Sequence, residues 1–459
     1  MTGVLVIVGA LVALMYLAYR GLSLLVLTPM LALITVLLSG EGRILASYTQ
    51  VFMTATGEFI IAFFPLFLLG AVFGKLMDAS GSARSLAEGL VRVLGPGRAI
   101  PAVVLACAIM TYGGVSLFVV AFAVYPIAAA LFRRAEINKR LVPATIGLGA
   151  FTFTMTALPG TPSIQNAIPM PFFGTTPFAA PGLGVLTALV IYVLGRQYLI
   201  WRAARLGPGY GPYDDEPDAT DMASLPPAAV AALPLVLVIV INLAFTFIVI
   251  PRLDTSYLAL PLFGETDIED VRGLWSIIAA LFFSILALIA LNWRRLSGQL
   301  TRLIDSGAEA SLAPIFNTAS LVGFGSVIAT LAAFQAVSNE VVNIGGDNPL
   351  ISLAMAVTLL SAMTGSASGG MSIALTTLGD QYLAMAEVAG ISPQLLHRVS
   401  AVAAGGLDTL PHNGAVISLL TICGLTHRES YRDIAIACML MPVIALIFLV
   451  TMGTIFGSF

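Results

Sequence analysis

Apolar runs of roughly 17 to 25 residues recur along the whole chain, the length that crosses the hydrocarbon core of a bilayer as a helix. No other feature limits the fold as strongly. Of 459 residues, 58% are hydrophobic and only 10% charged, with a mean hydropathy of +0.98, which excludes a soluble domain. In hydrocarbon every backbone donor and acceptor needs an internal partner, so the spans must be helices or a closed barrel. The runs here lack the strict alternation of barrel strands. The predicted fold class is an all-α polytopic membrane protein.

Net charge is −3, no basic run is present, and the aromatics lie within apolar segments, so nucleic acid is not an expected partner. Cys107, Cys423 and Cys438 have neither metal-ligand nor redox spacing and read as small buried apolar residues. No metal site and no cofactor is expected. The first apolar run has no positive residue before it and no small-residue cleavage site, so it reads as a first span and not as a signal peptide.

Two segments interrupt apolar runs with Leu-Pro breaks: FTMTALPGTPSIQN from Phe153 and GGLDTLPHNGAV from Gly405. Two further runs are broken at Tyr112-Gly113-Gly114-Val115-Ser116 and at Thr364-Gly365-Ser366-Ala367-Ser368-Gly369-Gly370. Each of these is too short for two crossings and too interrupted for one straight helix, as in a re-entrant hairpin. Leu158 and Leu410 are 252 positions apart, and so are Gly113 and Gly365. Breaks at corresponding places in two halves point to an internal repeat and to the binding site of a secondary transporter.

The predicted first repeat covers 1–206: spans at 2–19, 22–39 and 58–78, a hairpin at 99–132, a broken helix at 141–173 and a span at 182–203. A Gly-, Pro- and Asp-rich linker at 207–228 is expected in the cytoplasm. The second repeat, 229–459, has spans at 229–251, 273–293 and 313–337, a hairpin at 350–380, a broken helix at 396–423 and a span at 433–456. Five crossings plus one re-entrant hairpin in each half make the repeats inverted, because five is odd. Loop charge agrees: Arg84, Arg92, Arg98, Arg133, Arg134, Lys139 and Arg140 flank the first hairpin inside, whereas Glu340 and Asp347 precede the second outside. Both termini are then expected outside.

Each break starts a new half-helix, whose free N–H groups and partial positive charge suit an anion. Thr161 is the expected N-cap of the first, followed by Pro162, and Asn413 that of the second. With Gly113, Gly114, Ser116, Ser163, Asn166, Gly365, Ser366 and Ser368 they form the candidate substrate site, which contains no basic residue. Asp408 is the expected proton carrier, with His412 four positions on as a second titrating group. A carboxylate near mid-bilayer costs on the order of 2.5–3.5 kcal/mol by insertion scales, so it should have a function. Bracing of the broken loop and ligation of Na⁺ are the other readings. Glu58, Lys75, Asp78, Asp380, Glu387, His397 and His427 are placed at span boundaries and left out of the site.

The chain resembles the gluconate permease (GntP) family of the ion transporter superfamily over essentially its whole length. The resemblance is carried by AIPAVVLACAIMTYGGVSLFVVAFAVYP from Ala99, AFTFTMTALPGTPSIQNAIP from Ala150 and GGLDTLPHNGAVISLLTICGLTHRESY from Gly405. It implies proton-linked uptake of gluconate, related sugar acids or 3-hydroxybutyrate across the bacterial inner membrane, by a homodimer with an elevator-type transport domain. LPHNGA at 410–415 stands where the sugar-acid permeases are more polar, which tilts the expectation toward a shorter, less hydroxylated carboxylate. Na⁺-coupled symport by the same fold is one alternative. An intramembrane enzyme using Asp408, His412 and a serine is another, but no HExxH, nucleophile elbow or P-loop is present. A passive channel is a third.

Overall fold

The computed structural model describes residues 2–40, 43–213, 225–334, 342, 344, 346, 348–411 and 413–459. Its regular structure is helical throughout. We number the principal helices α1 (Thr2–Tyr19), α2 (Leu24–Ser39), α3 (Met53–Ala79), α4 (Ser82–Leu94), α5 (Ala99–Tyr112), α6 (Leu117–Arg134), α7 (Val142–Ala150), α8 (Pro181–Leu206) and α9 (Ala228–Ala244). They continue as α10 (Ile268–Leu291), α11 (Leu300–Ala329), α12 (Pro349–Thr364), α13 (Ala367–Val388), α14 (Pro393–Ala404), α15 (Gly414–Ile422), α16 (His427–Ala435) and α17 (Met441–Phe456). Six helices among the described residues are long and apolar enough to cross a membrane, and four shorter ones are also apolar. Large side chains such as Ile61, Leu262 and Ile447 are exposed, as expected of a surface solvated by lipid.

Two long helices form the backbone of the packing. α3 and α11 run antiparallel, with Gly307 against Val72 and Gly323 against Phe52 and Thr56. Small residues at both ends of this contact let the two backbones approach closely, the usual device of helix packing in lipid. α10 lies against α3 and α2 against α11; α1 in turn packs on α2, and α9 on α10. Helix pairs α5–α6 and α12–α13 each fold back on themselves through a short turn. α7 packs on α5 and α14 on α12, while α8 packs on α17. Gly149 of α7 sits so close to α5 that a Cβ there would overlap the carbonyl of Val104.

Several boundaries differ from the sequence expectation. The segment carrying Arg84 and Arg92 is helix α4, not loop. Glu58 is not at a span end: the helical run is continuous from Ile44 to Ala79, and Glu58 lies exposed within it. α14 begins at Pro393, capped by the Ser392 hydroxyl, which accepts from the Gln394 N–H at 3.3 Å. This earlier start moves His397 and Arg398 from the expected boundary into the interior, where both are 0% exposed. His412, Glu340, Asp347 and linker residues 214–224 lie outside the described residues.

Among the described residues, three turns of π-helix interrupt the long helices, at Ser47–Phe52, Phe245–Val249 and Ile436–Leu440. A π-turn frees carbonyls from the helical ladder, and they are taken up by side chains. Arg272 donates twice to Thr246 O, at 2.6 and 2.9 Å, and Thr409 Oγ1 donates to Cys438 O at 3.2 Å. At one end of the molecule, Tyr198 and Arg202 of α8 hold Asp433 of α16 at 2.6 and 2.9 Å.

Candidate functional site

The four breaks are linked by contact, Gly114 to Pro162, Thr156 to Gly405 and Asn413 to Gly365. At the first hairpin tip Gly114 adopts φ +93°, and the Ser116 hydroxyl caps α6 by accepting from the Val119 N–H at 3.5 Å. At the second, Gly365 adopts φ +61° and Ser366 caps α13 by accepting from the Gly369 N–H at 3.1 Å. Left-handed backbone suits glycine, and a serine N-cap fixes the start of the return limb. Ser366 Oγ lies 3.3 Å from Ser368 Oγ, which is 3.4 Å from Thr318 Oγ1 on α11. The second tip therefore touches one of the two long helices. Ser116 lies beside the other, its N–H 3.5 Å from the point a Cβ on Gly74 would occupy.

The first break runs from Ala157 to Ser163. Thr161 is not the N-cap: the helix resumes at Ile164, with Ser163 in the cap position. Thr161 Oγ1 instead lies 2.9 Å from Ser163 Oγ. The break is held by side chains from four elements. Tyr112 OH donates to Pro159 O at 2.6 Å, and Asn242 Nδ2 of α9 donates to Gly160 O at 3.0 Å. Asn166 Nδ2 donates to Thr161 O and Pro177 O, at 3.0 and 2.9 Å. Arg398 of α14 supplies the fourth set. Its Nε and Nη2 donate to Ala179 O at 3.1 and 2.7 Å, Nη2 also to Pro177 O at 3.5 Å, and Nη1 to Thr156 O and Asn166 Oδ1 at 3.1 and 3.0 Å.

His397 completes this knot. Nε2 lies 3.2 Å from Asn166 Oδ1 and Nδ1 lies 2.7 Å from Thr175 Oγ1. Because Asn166 Oδ1 only accepts, geometry assigns the proton to Nε2, and Nδ1 accepts from the Thr175 hydroxyl. A basic residue absent from the candidate set, Arg398, is thus bonded to Asn166 of that set. Arg398 was legible as an ionisable residue inside an apolar run, next to a break. The Ser392-Pro393 pair, an N-cap followed by proline at the first helical position, marks the helix start that would have buried it. Tyr112 and Asn242 carried no signal beyond being polar.

The second break, Gly405 to Asn413, is held from α16 and by Asn413: Tyr431 OH donates to Thr409 O at 3.3 Å and His427 Nε2 to Pro411 O at 2.9 Å. Asn413 caps α15 by accepting from the N–H groups of Ala415 and Val416 at 2.6 and 3.3 Å. Its Nδ2 donates to Asp408 O at 2.7 Å and to Gly365 O at 3.0 Å, tying the break to the second hairpin tip. Asp408 lies in the turn after α14 ends, not on a continuing helix. Its Oδ1 is shut off from solvent and takes no hydrogen bond from the described residues.

The candidate residues therefore fall into two groups. Gly114, Thr161, Ser163 and Asn166 cluster at the first break, where Pro162 sits 3.0 Å from the point a Cβ on Gly114 would occupy. Gly365, Asn413 and Asp408 cluster at the second, with Ser366 and Ser368 beside them. Gly113 faces Leu235 of α9. Helix packing interleaves the groups: α13 lies against Ile164–Ala167, and α6 against α15. Thr156 of the first break approaches Gly405 of the second, where an added Cβ would sit 2.9 Å from Thr156 Cγ2.

No known protein-family profile matches the chain. Over 447 residues, 94% of each chain, it is 45% identical to the uncharacterized transporter YxjC of Bacillus subtilis (strain 168). The chain belongs to the same transporter family as YxjC. Among solved structures it is similar in fold to the YdaH transporter of Alcanivorax borkumensis, with 14% identity, a TM-score of 0.51 and 88% of each chain covered. It is similar also to MtrF of Neisseria gonorrhoeae, described as illuminating a class of antimetabolite efflux pumps, with 14% identity, a TM-score of 0.52 and 87% and 83% of the chains covered. Its relatives by sequence and by fold are transporters, not enzymes.

Proposed function

We propose that this transporter is a proton-coupled symporter of a small organic carboxylate such as 3-hydroxybutyrate or a sugar acid, working in a bacterial inner membrane as a gluconate permease-type protein. The observation that carries the reading is the buried Asp408 oxygen left without a described partner beside the second break. An acid in that setting has a free oxygen on which a proton can be taken up and released. The substrate anion is held by hydroxyls and half-helix N-termini at the first break and the hairpin tips, with Thr161, Ser163, Ser116, Ser366 and Ser368 lining the site.

The architecture we assign is two inverted repeats of five crossings and one re-entrant hairpin. Matched packing supports it: α3 meets α11 and α8 meets α17, pairs whose members are about 252 positions apart, and α10 lies on α3 as α2 lies on α11. Both termini are outside in this arrangement, the linker is cytoplasmic, and the assembly is a homodimer with a moving transport domain. Na⁺ is the second reading of the coupling ion, favoured by the same oxygen, which can ligate a cation together with loop carbonyls. Uptake of labelled carboxylates into proteoliposomes under an inward proton gradient, with and without Na⁺, tests both readings. Accumulation driven by the pH gradient alone is expected. Accumulation that requires Na⁺ transfers Asp408 to the ion site, and equilibration without accumulation indicates a channel.

A further inference from the structure

Arg398 brings a full positive charge to the interior of the molecule with no bonded counter-ion. Guanidinium has five N–H donors and stays protonated in proteins. Here the five are matched by five hydrogen bonds, to Ala179 O twice and to Pro177 O, Thr156 O and Asn166 Oδ1. Every acceptor is a neutral oxygen. The side chain is 0% exposed, so neither water nor salt screens it. With all donors committed, Arg398 has none left for a ligand, yet its charge is undiminished and acts over a longer range than in water.

The ligand region closest to that charge is the first break. Asn166 accepts from Arg398 and donates to Thr161 O, and Thr161 Oγ1 pairs with Ser163 Oγ. At the position 252 earlier, the first half carries Ile146, also buried, so the second break receives no matching cation. Asp408, 252 positions after Thr156, is the acid on the other side. The two breaks thus differ in charge at corresponding places.

We infer that Arg398 is the specificity-determining charge of the transport site: it selects an anion at the first break through its field, without touching it, and the bound substrate is its counter-ion. This rests on the reading of the centre as an anion site. Hydroxyls and N–H groups make the contacts, and Arg398 decides which sign of ligand they accept.

The test compares the purified protein's affinity for each member of a carboxylate panel, including 3-hydroxybutyrate and gluconate, with that for the corresponding primary amide. The wild type is expected to bind its preferred acid more tightly than the amide. Arg398→Gln should cost the acid about tenfold or more in affinity and leave the amide unchanged, while Arg398→Lys keeps most of the preference. Arg398→Lys keeps the charge but gives up most of the five bonds, so it separates charge from structure and does not depend on Arg398→Gln folding. A purely structural arginine would move acid and amide together. An acid-to-amide ratio unchanged in Arg398→Gln, or lost in a folded Arg398→Lys, overturns the role of Arg398. A wild type that binds no acid more tightly than its amide overturns the anion reading itself.

Discussion

The two broken helices occupy corresponding places in the sequence, and side chains satisfy the backbone of both, but a buried cation serves the first and a buried carboxylate stands in the second. At the first, the carbonyls of Thr156, Pro159, Gly160, Thr161, Pro177 and Ala179 all receive side-chain donors, drawn from Tyr112, Asn166, Asn242 and Arg398. At the second, Asn413 caps the helix and bridges to the hairpin tip, Tyr431 OH and His427 Nε2 of α16 donate to the carbonyls of Thr409 and Pro411, and a carboxylate oxygen is left over. A buried polar network that is fully connected rigidifies, whereas an unpartnered group costs stability and is retained for use. In the proposed reading the first break holds the substrate anion and the second is where a charge changes. The acid and the base that create the difference, Asp408 and Arg398, both come from the second half, opposite Thr156 and Ile146 of the first.

The contrast breaks most visibly at Asn166. Asn166→Leu removes the oxygen shared by Arg398 and His397 and both donors to the break, and it should destabilise the detergent-solubilised protein by about 3–5 kcal/mol, because several buried groups lose partners at about 1–3 kcal/mol each. Thermal unfolding of the purified variant reads this; a loss below about 1 kcal/mol would mean the knot is not what holds the first break. Asn242→Ala leaves Gly160 O without its described donor and should cost about 1–3 kcal/mol in the same assay. At the second break Asn413→Ala should cost about 1–2 kcal/mol for the lost cap. Thr161→Ala removes the buried hydroxyl that pairs with Ser163 and should cost about 0.5–1.5 kcal/mol in the same assay. Smallest of all is Asp408→Asn, expected within about 0.5 kcal/mol of wild type, since it removes a buried charge whose Oδ1 has no described hydrogen-bond partner to lose.

Much of the centre was legible in advance. Four helix-breaking segments in a common register are visible as glycines, prolines and serines inside apolar runs, and Asn413 was identified as a cap from its place before Gly414. What the sequence hid was who satisfies the breaks. Arg398 reaches carbonyls more than 200 positions away in sequence, and Asn242 bonds Gly160 from a separate helix. Such partners are set by tertiary packing, which periodicity does not encode. Thr161 misled because its type and the following proline fit a cap, yet the chain needed two more residues to turn, and Ser163 took the position. α4 was hidden for another reason: its mixture of Arg84, Arg92 and apolar residues is amphipathic and falls below the apolarity used to recognise spans.

The central claim is that coupling resides at the second break and substrate holding at the first. Wild type and Asp408→Asn in proteoliposomes should be compared for two activities with the acid that the uptake panel selects: exchange of labelled for unlabelled substrate, and accumulation under an inward proton gradient. Exchange close to wild type with accumulation lost is the predicted result. Accumulation that survives intact in Asp408→Asn would contradict the assignment, and loss of both activities by a folded variant would place Asp408 in the substrate site instead.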